Sequence, residues 1–193
     1  MAPMRHAGVF AAVALIGATL DLWTKTWACG GLEIPGHVSP GQEIIVIPQF
    51  FSIGHTRNPG IIFGLLPQAK LIFLIVSILA VPAIVAIFAS VRKARWIPTL
   101  ALGLILAGTL GNLYDRAVFE EVRDFIKFSY RDHIWPLFNL ADSYILIGVL
   151  LLSIEMIFFD EKKKAGKDEG RDQKVQGTPG AGPVGGDRPA PAG

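Results

Sequence analysis

Four long apolar runs separate the charges of this chain, at roughly Ala7 to Cys29, Leu71 to Val91, Ile97 to Tyr114 and Leu137 to Phe159. A bilayer's hydrocarbon core, ~30 Å thick, takes about 20 mostly apolar residues to cross as a helix. Each run meets or nearly meets that length. Of the 193 residues 51% are hydrophobic and 18% charged, with the charges gathered between the runs, as in an integral membrane protein. Arg5 and His6 before the first run imitate the start of a secretory signal peptide. No convincing small-residue cleavage site follows, and three further spans do, so the first run is expected to stay as a helix.

Lys and Arg set the expected orientation, because acidic residues contribute little to it. The N-terminal segment, the loop at 92–96 and the C-terminal tail carry eleven, against six on the loops at about 30–70 and 115–136. Both termini are therefore expected in the cytoplasm and the two loops outside. The net charge of +2 follows from this distribution and the tail, and gives no reason to invoke nucleic acid. Cys29 is the single cysteine, so no intramolecular disulfide can form, and it reads as a small buried residue.

Residues 1–160 are expected to form one membrane domain. Beyond Asp160, EKKKAGKDEGRD gives way to GTPGAGPVGGDRPAPAG, too polar to bury, so 161–193 reads as a disordered cytoplasmic tail whose lysines face anionic lipid. In the first external loop EIIVI at 43–47 and FFSI at 50–53 read as two short strands of a sheet on the membrane surface, close to NPGIIFG at 58–64. EEVRDFIKF, with its alternating charges, reads as an interfacial amphipathic helix. The expected fold class is thus an all-α membrane protein of four transmembrane helices, with a small extracytoplasmic β-sheet and an interfacial external helix.

Two carboxylates stand out, Asp124 in VRDF and Asp142 in FNLAD, at the ends of consecutive spans and on the same side of the membrane. Asp124 alone would pass for a solvated loop residue. Asp142 begins an apolar run, where an ionised carboxylate is costly, and ionisable groups at such a boundary are functional by default. Asp21 and Lys25, four residues apart, share a helix face and can neutralise one another, as a structural pair or as part of a site floor. Asn58 precedes Pro59 and Gly60, a turn signal, and is either a cap or a holder of extended peptide. Gly108, Gly111, Asn112 and Asp115 recur at helical spacing as one stripe of small and polar residues that faces the protein interior, where the glycines admit another backbone closely. Asp115 and Arg116 diverge on that helix and need separate partners.

In order, DLWTK at 21–25, NPGIIFG at 58–64, GNLYDR at 111–116, VRDF at 122–125 and FNLADS at 138–143 resemble the motif set of lipoprotein signal peptidase, or signal peptidase II, over residues 10 to 155. Any one motif is weak, but five in order on four spans are specific. The resemblance implies a membrane aspartic endopeptidase of the bacterial inner membrane. Such an enzyme removes the signal peptide from prolipoproteins, cutting before the diacylglyceryl-modified cysteine, and is sensitive to globomycin-type inhibitors. It implies Asp124 and Asp142 as catalytic residues, and Asp21, Lys25, Asn58, Gly60, Asn112, Asp115, Arg116 and Asn139 as substrate-binding or site-supporting residues.

No cofactor or metal is implied, and the expected partners are substrate and membrane lipid around a monomer. Two departures stand out. Arg123 occupies a position usually aliphatic in the family and is expected to depress the Asp124 pKa. Glu155 is expected to reach the cytoplasmic interface.

Two carboxylates sharing a proton can activate water and protonate a carbonyl, since like charges held close force their pKa values apart. The sequence does not assign the two roles. A metal site built from Asp115, Asp124, Asp142 and His133 lacks a recognised ligand spacing. A serine mechanism using Ser143 with Lys25 or a histidine has no more support. An ion-coupled carrier stays open as the other functional class, although no internal repeat is visible and the carboxylates sit at the interface instead of mid-membrane.

Overall fold

The computed structural model describes residues 4–30, 42–59, 69–90 and 95–176, with side chains in the last helix described as far as Phe158. Helix α1 is Met4–Cys29, α2 Ala69–Ser90, α3 Trp96–Phe119 and α4 Leu140–Gln176. Strands β1 (Glu43–Ile47), β2 (Phe51–Asn58), β3 (Val122–Tyr130) and β4 (His133–Ile134) form one antiparallel sheet in that order. Among the described residues four helical stretches, Met4–Cys29, Lys70–Ser90, Trp96–Phe119 and Leu140–Phe158, are long and apolar enough to cross a membrane. The chain divides into two units, Met1–Glu155 and Met156–Gly193.

Within the first unit, polarity runs opposite to that of a water-soluble bundle. The largest fully buried side chains are Lys25, Asn139, Asp21 and Asp115, while Leu15 and Ile16 of α1, Leu71 and Leu79 of α2 and Leu146 and Leu150 of α4 are exposed. Hydrocarbon solvates those leucines as well as a protein core would, whereas it offers no partner to a charge. Small residues make the interior possible. Ala101, Ala107 and Ala141 are wholly buried, and a Cβ on Gly108 would run into the Ala141 carbonyl oxygen. The glycine stripe thus brings α3 backbone to backbone against the start of α4. At the other end of the bundle Phe10 of α1 stacks on Phe88 of α2, ring centroids 4.1 Å apart, within a cluster that includes Leu102 and Leu106 of α3.

Several expectations need correcting. The segment after α3 is a strand, not an interfacial helix. Val122, Phe125, Ile126, Phe128 and Tyr130 are β-branched or aromatic residues, and β2 offers an open edge to pair with. The register sets Thr56 opposite Asp124 and Asn58 opposite Val122. The sheet consequently has four strands, not two, and β2 extends to Asn58, so Asn58 belongs to a strand and is not a helix cap.

Helix α3 continues to Phe119, five residues past the expected end of the third span, and closes with Glu120 in the left-handed region (φ 61°). Its backbone reversal leaves only Glu120 and Glu121 before β3. Helix α4 continues past Asp160 to Gln176, through EKKKAGKDEGRDQKVQ, in which Lys, Arg, Glu and Gln are good helix formers. Residues 177–193 lie outside the described residues. Glu155 is 9% exposed and forms an ion pair with Arg95, the residue that precedes α3.

Candidate active site

Backbone pairing brings the two aspartates together. The N–H of Ile126 donates to the Phe138 carbonyl at 2.8 Å and the N–H of Phe138 donates back at 3.1 Å, a one-residue bridge that pins the chain just before α4 to β3. Asn139 follows at once as the N-terminal cap of α4. Its Oδ1 accepts the Asp142 N–H at 3.0 Å, and its own N–H donates to Asp142 Oδ2 at 3.3 Å. This reciprocal arrangement is a capping box, with an aspartate in the place more often held by glutamate. The cap also reaches sideways: Asn139 Nδ2 donates to Asp124 Oδ1 at 2.7 Å. One buried asparagine therefore fixes both carboxylates.

The remaining contacts of the pair come from three more elements. Asn58 of β2 donates from Nδ2 to Asp124 Oδ2 at 3.1 Å, and Asn112 of α3 donates from Nδ2 to Asp142 Oδ1 at 2.8 Å. Asn112 is itself held by Lys25 of α1, whose Nζ donates to Asn112 Oδ1 at 2.9 Å. Asp142 also sits in the first turn of α4, where the helix dipole favours negative charge. Asp124 is only 2% exposed. Burial, and then the Asp142 charge beside it, push its pKa up to about 6, against the opposing hydrogen bonds from Asn58 and Asn139. The expected depression by Arg123 does not occur, because that guanidinium is turned away toward Asp115.

Beneath the pair lies a second layer of four charges. Lys25 Nζ is 2.7 Å from Asp21 Oδ2 and 3.5 Å from Asp115 Oδ2, with all three side chains fully buried. Arg123 Nη2 donates to Asp115 Oδ1 at 2.7 Å, its Nε lies 3.2 Å from the same oxygen, and its backbone N–H donates to Oδ2 at 3.0 Å. Two acids and two bases cancel, which is the condition for burying them together. Asp21 Oδ1 also accepts the Ala141 N–H at 2.8 Å, tying the start of α4 to α1. A Cβ on Gly111 would collide with the Asp21 carboxylate, which accounts for that glycine.

Asp21, Lys25, Asn112, Asp115, Asn139, Asp124, Asp142 and Asn58 thus form one connected constellation. Arg116 sits at its edge. It is half-buried, donates from Nη1 to Ser77 Oγ of α2 at 3.1 Å, lies 5.8 Å from the Phe73 ring centroid, and lines a cleft of about 260 Å³ with Lys70, Leu71, Leu74 and Glu120. As expected, Asp115 and Arg116 have separate partners. Gly60 lies outside the described residues.

Sequence reasoning missed Ser77 and the extent to which Arg123 is integrated, since neither partnership can be seen without the packing of α2 and β3 on α3. His133, exposed on β4, lines an apolar groove of about 760 Å³ with Phe128, Tyr130, Trp135, Phe138 and Leu146, and no member of the carboxylate pair lines that groove. Ser143 Oγ bonds back to the Asn139 carbonyl at 3.2 Å, as helical serines do, and Lys25 is committed elsewhere.

A multi-pass membrane protein with a paired-aspartate site at one end of its helices is the class that this fold and geometry define. The sequence profile described as signal peptidase (SPase) II matches residues 13–158. A lipoprotein signal peptidase of Desulfitobacterium hafniense is 41% identical over 132 residues, covering 68% of this chain and 85% of that protein. One from Bacillus subtilis (strain 168) is 36% identical over 152 residues, covering 79% and 95%. A solved structure described as a bacterial membrane enzyme aligns with a TM-score of 0.71 at 31% identity, over 81% of this chain and 92% of its own. The chain belongs to the signal peptidase II family of aspartic peptidases.

Proposed function

We propose that Asp124 and Asp142 are the catalytic pair of this chain and that they act at the external face of the bacterial inner membrane, with both termini in the cytoplasm. Removal of signal peptides from prolipoproteins is the family's activity. The substrate here is a prolipoprotein whose cysteine already carries diacylglycerol, cut on the N-terminal side of that cysteine. The observation that carries this reading is the double attachment of Asn139, by side chain to Asp124 and by backbone to Asp142. It holds two carboxylates in one buried site with separate donors.

The asymmetry of their surroundings supports one division of roles. Asp124, whose burial beside the Asp142 charge favours its protonated form, is the member that carries the shared proton. Asp142, at a helix N-terminus and facing donors from Asn112 and Asn139, takes a proton from water as the water oxygen attacks the scissile carbonyl carbon. Asp124 protonates the carbonyl oxygen at the same time. When the tetrahedral intermediate collapses, Asp142 passes its proton to the leaving amine of the cysteine residue and Asp124 recovers its own.

Arg116, at the mouth beside α2, holds substrate backbone or headgroup, and the exposed apolar helix faces admit the diacyl chains from the bilayer. The chain works as a monomer, contacts anionic lipid through its cytoplasmic tail at 161–193, and is inhibited by globomycin-type compounds. The direct test is to incubate purified protein with a diacylglyceryl-modified prolipoprotein, with and without globomycin. A shortened, globomycin-sensitive product supports the reading. Intact substrate, or solute uptake by proteoliposomes without proteolysis, refutes it.

A further inference from the structure

Arg123 is built into the support of the site more deeply than any residue around it that the family's motifs do not assign a role. It is 5% exposed, holds Asp115 through Nε and Nη2, donates from Nη1 to Thr26 Oγ1 of α1 at 3.4 Å, and lies 4.5 Å from the Phe119 ring centroid. Its backbone is engaged as well. The N–H donates to Asp115 at 3.0 Å, and the carbonyl accepts from Asn139 Nδ2 at 3.4 Å, one residue from Asp124.

Charge counting shows what the guanidinium does. The ammonium of Lys25 has three N–H donors and three partners: Asp21 at 2.7 Å, Asn112 at 2.9 Å and Asp115 at 3.5 Å. With Arg123 present, Asp21, Asp115, Lys25 and Arg123 sum to zero. An aliphatic side chain at 123 leaves that buried set one charge negative, with Asp115 dependent on its longer contact to Lys25. The electrostatic response is for Lys25 to move toward Asp115 and away from Asn112, and Asn112 is what holds Asp142.

We propose that Arg123 is a positioning residue for the carboxylate pair: it neutralises Asp115 so that Lys25 can hold Asn112 against Asp142, and it fixes the β3 backbone from which Asp124 projects. This rests on the reading of Asp124 and Asp142 as the reacting pair. The ionisable neighbours that bear on it are Asp21, Lys25 and Cys29 of α1, Arg57 of β2, Asp115 and Arg116 of α3, and Asp142 and Tyr144 of α4, while Lys70 of α2 is paired with Glu120 and Glu121. Removing Asp115 and Arg123 together leaves the net charge of the buried set unchanged and spares the Lys25 contacts to Asp21 and Asn112, whereas removing either one alone does not keep the balance.

The experiment is a charge-balance cycle on the full chain, comparing wild type, Arg123→Met, Asp115→Asn and the double variant Asp115→Asn/Arg123→Met. Each is assayed for cleavage of diacylglyceryl-modified prolipoprotein across pH and for melting in detergent. Each single variant should lose about 100-fold in kcat/KM, the scale on which small displacements of a catalytic group are felt. The alkaline limb of the profile should move to higher pH in Arg123→Met, where negative charge is in excess, and to lower pH in Asp115→Asn. In the double variant the limb should return to the wild-type position, with kcat/KM within roughly 10-fold of wild type and melting above either single variant.

Arg123→Lys, which keeps the charge, should keep the wild-type limb. A double variant no more active or stable than the poorer single one overturns the proposal, as does Arg123→Met with unchanged rate and profile. If Arg123→Met fails to accumulate, the double variant still decides, since restored balance should restore both accumulation and activity. Asp124→Asn is assayed alongside: activity there overturns the catalytic pair, while the melting cycle reads the charge balance independently of chemistry.

Discussion

Asn139 is both the cap of α4 and the link between the two carboxylates, and paired substitutions separate these roles. Asn139→Ser keeps a side-chain oxygen able to cap the helix, while Asn139→Ala does not. Both lose the amide that donates to Asp124 Oδ1 at 2.7 Å. The cap difference is about 1 kcal/mol, so the Ser variant should be more stable than the Ala variant by that amount. The shared loss is a hydrogen bond to a charged or partly charged carboxylate, about 1.5–3 kcal/mol. At about 1.4 kcal/mol per factor of ten, this corresponds to a fall of roughly 10- to 100-fold in kcat/KM for both variants.

A pH signature should accompany the loss. The Asn139 amide stabilises the ionised form of Asp124, whose pKa is raised to about 6 by burial and by Asp142, so removing the amide raises that pKa further. If Asp124 works as the proton-bearing member, its proton then persists to higher pH, and the alkaline limb of kcat/KM shifts upward in both variants. The assay is cleavage of prolipoprotein by purified enzyme in detergent from pH 5 to 9, with unfolding measured on the same preparations. An Asn139→Ser variant with wild-type kcat/KM and an unmoved limb would refute this role for the amide.

Asp124→Asn and Asp142→Asn should each abolish cleavage while the protein still inserts, and the double variant should be hardly worse than either, because the two act as one unit. Gly111→Ala should destabilise the bundle by about 1–3 kcal/mol, since its Cβ enters the space of the Asp21 carboxylate. Gly8→Ala, where no heavy atom lies within 4 Å of the new Cβ, should leave detergent melting unchanged or slightly raised. Arg116→Ala should impair cleavage more than Arg131→Ala, because Arg116 reaches Ser77 beside the site whereas Arg131 is exposed in the turn after β3; equal losses at matched protein levels would remove Arg116 from the site. Reporter fusions near Ser39 and Lys127 should read external and a fusion after Asp160 cytoplasmic, and a cytoplasmic Lys127 would break the shared-site reading.

The sequence by itself determined the four spans, because crossing a bilayer demands long apolar helices whatever their neighbours do. It also determined which polar residues had to face inward. Asp21, Lys25, Asn112 and Asp115 sit at helical spacing among apolar residues, and lipid offers them no partners. The family was legible for the same reason: its motifs are the polar interruptions of otherwise apolar segments.

Tertiary structure decided what a single segment cannot encode. EEVRDFIKF carries alternating charges that suit an amphipathic helix, and only the free edge of β2 makes it a strand. Whether Asp124 is solvated or buried depends on β3 being clasped by β2 on one side and by Phe138 on the other. Likewise, the electrostatic effect of Arg123 depends on which carboxylate its guanidinium meets. Adjacency to Asp124 suggested one partner, but the strand pleat sends alternate side chains to opposite faces and delivers Arg123 to Asp115 instead. Local pattern fixes which residues must be buried, while the partner each one meets, and so its charge state and role, is set by contacts between elements far apart in the chain.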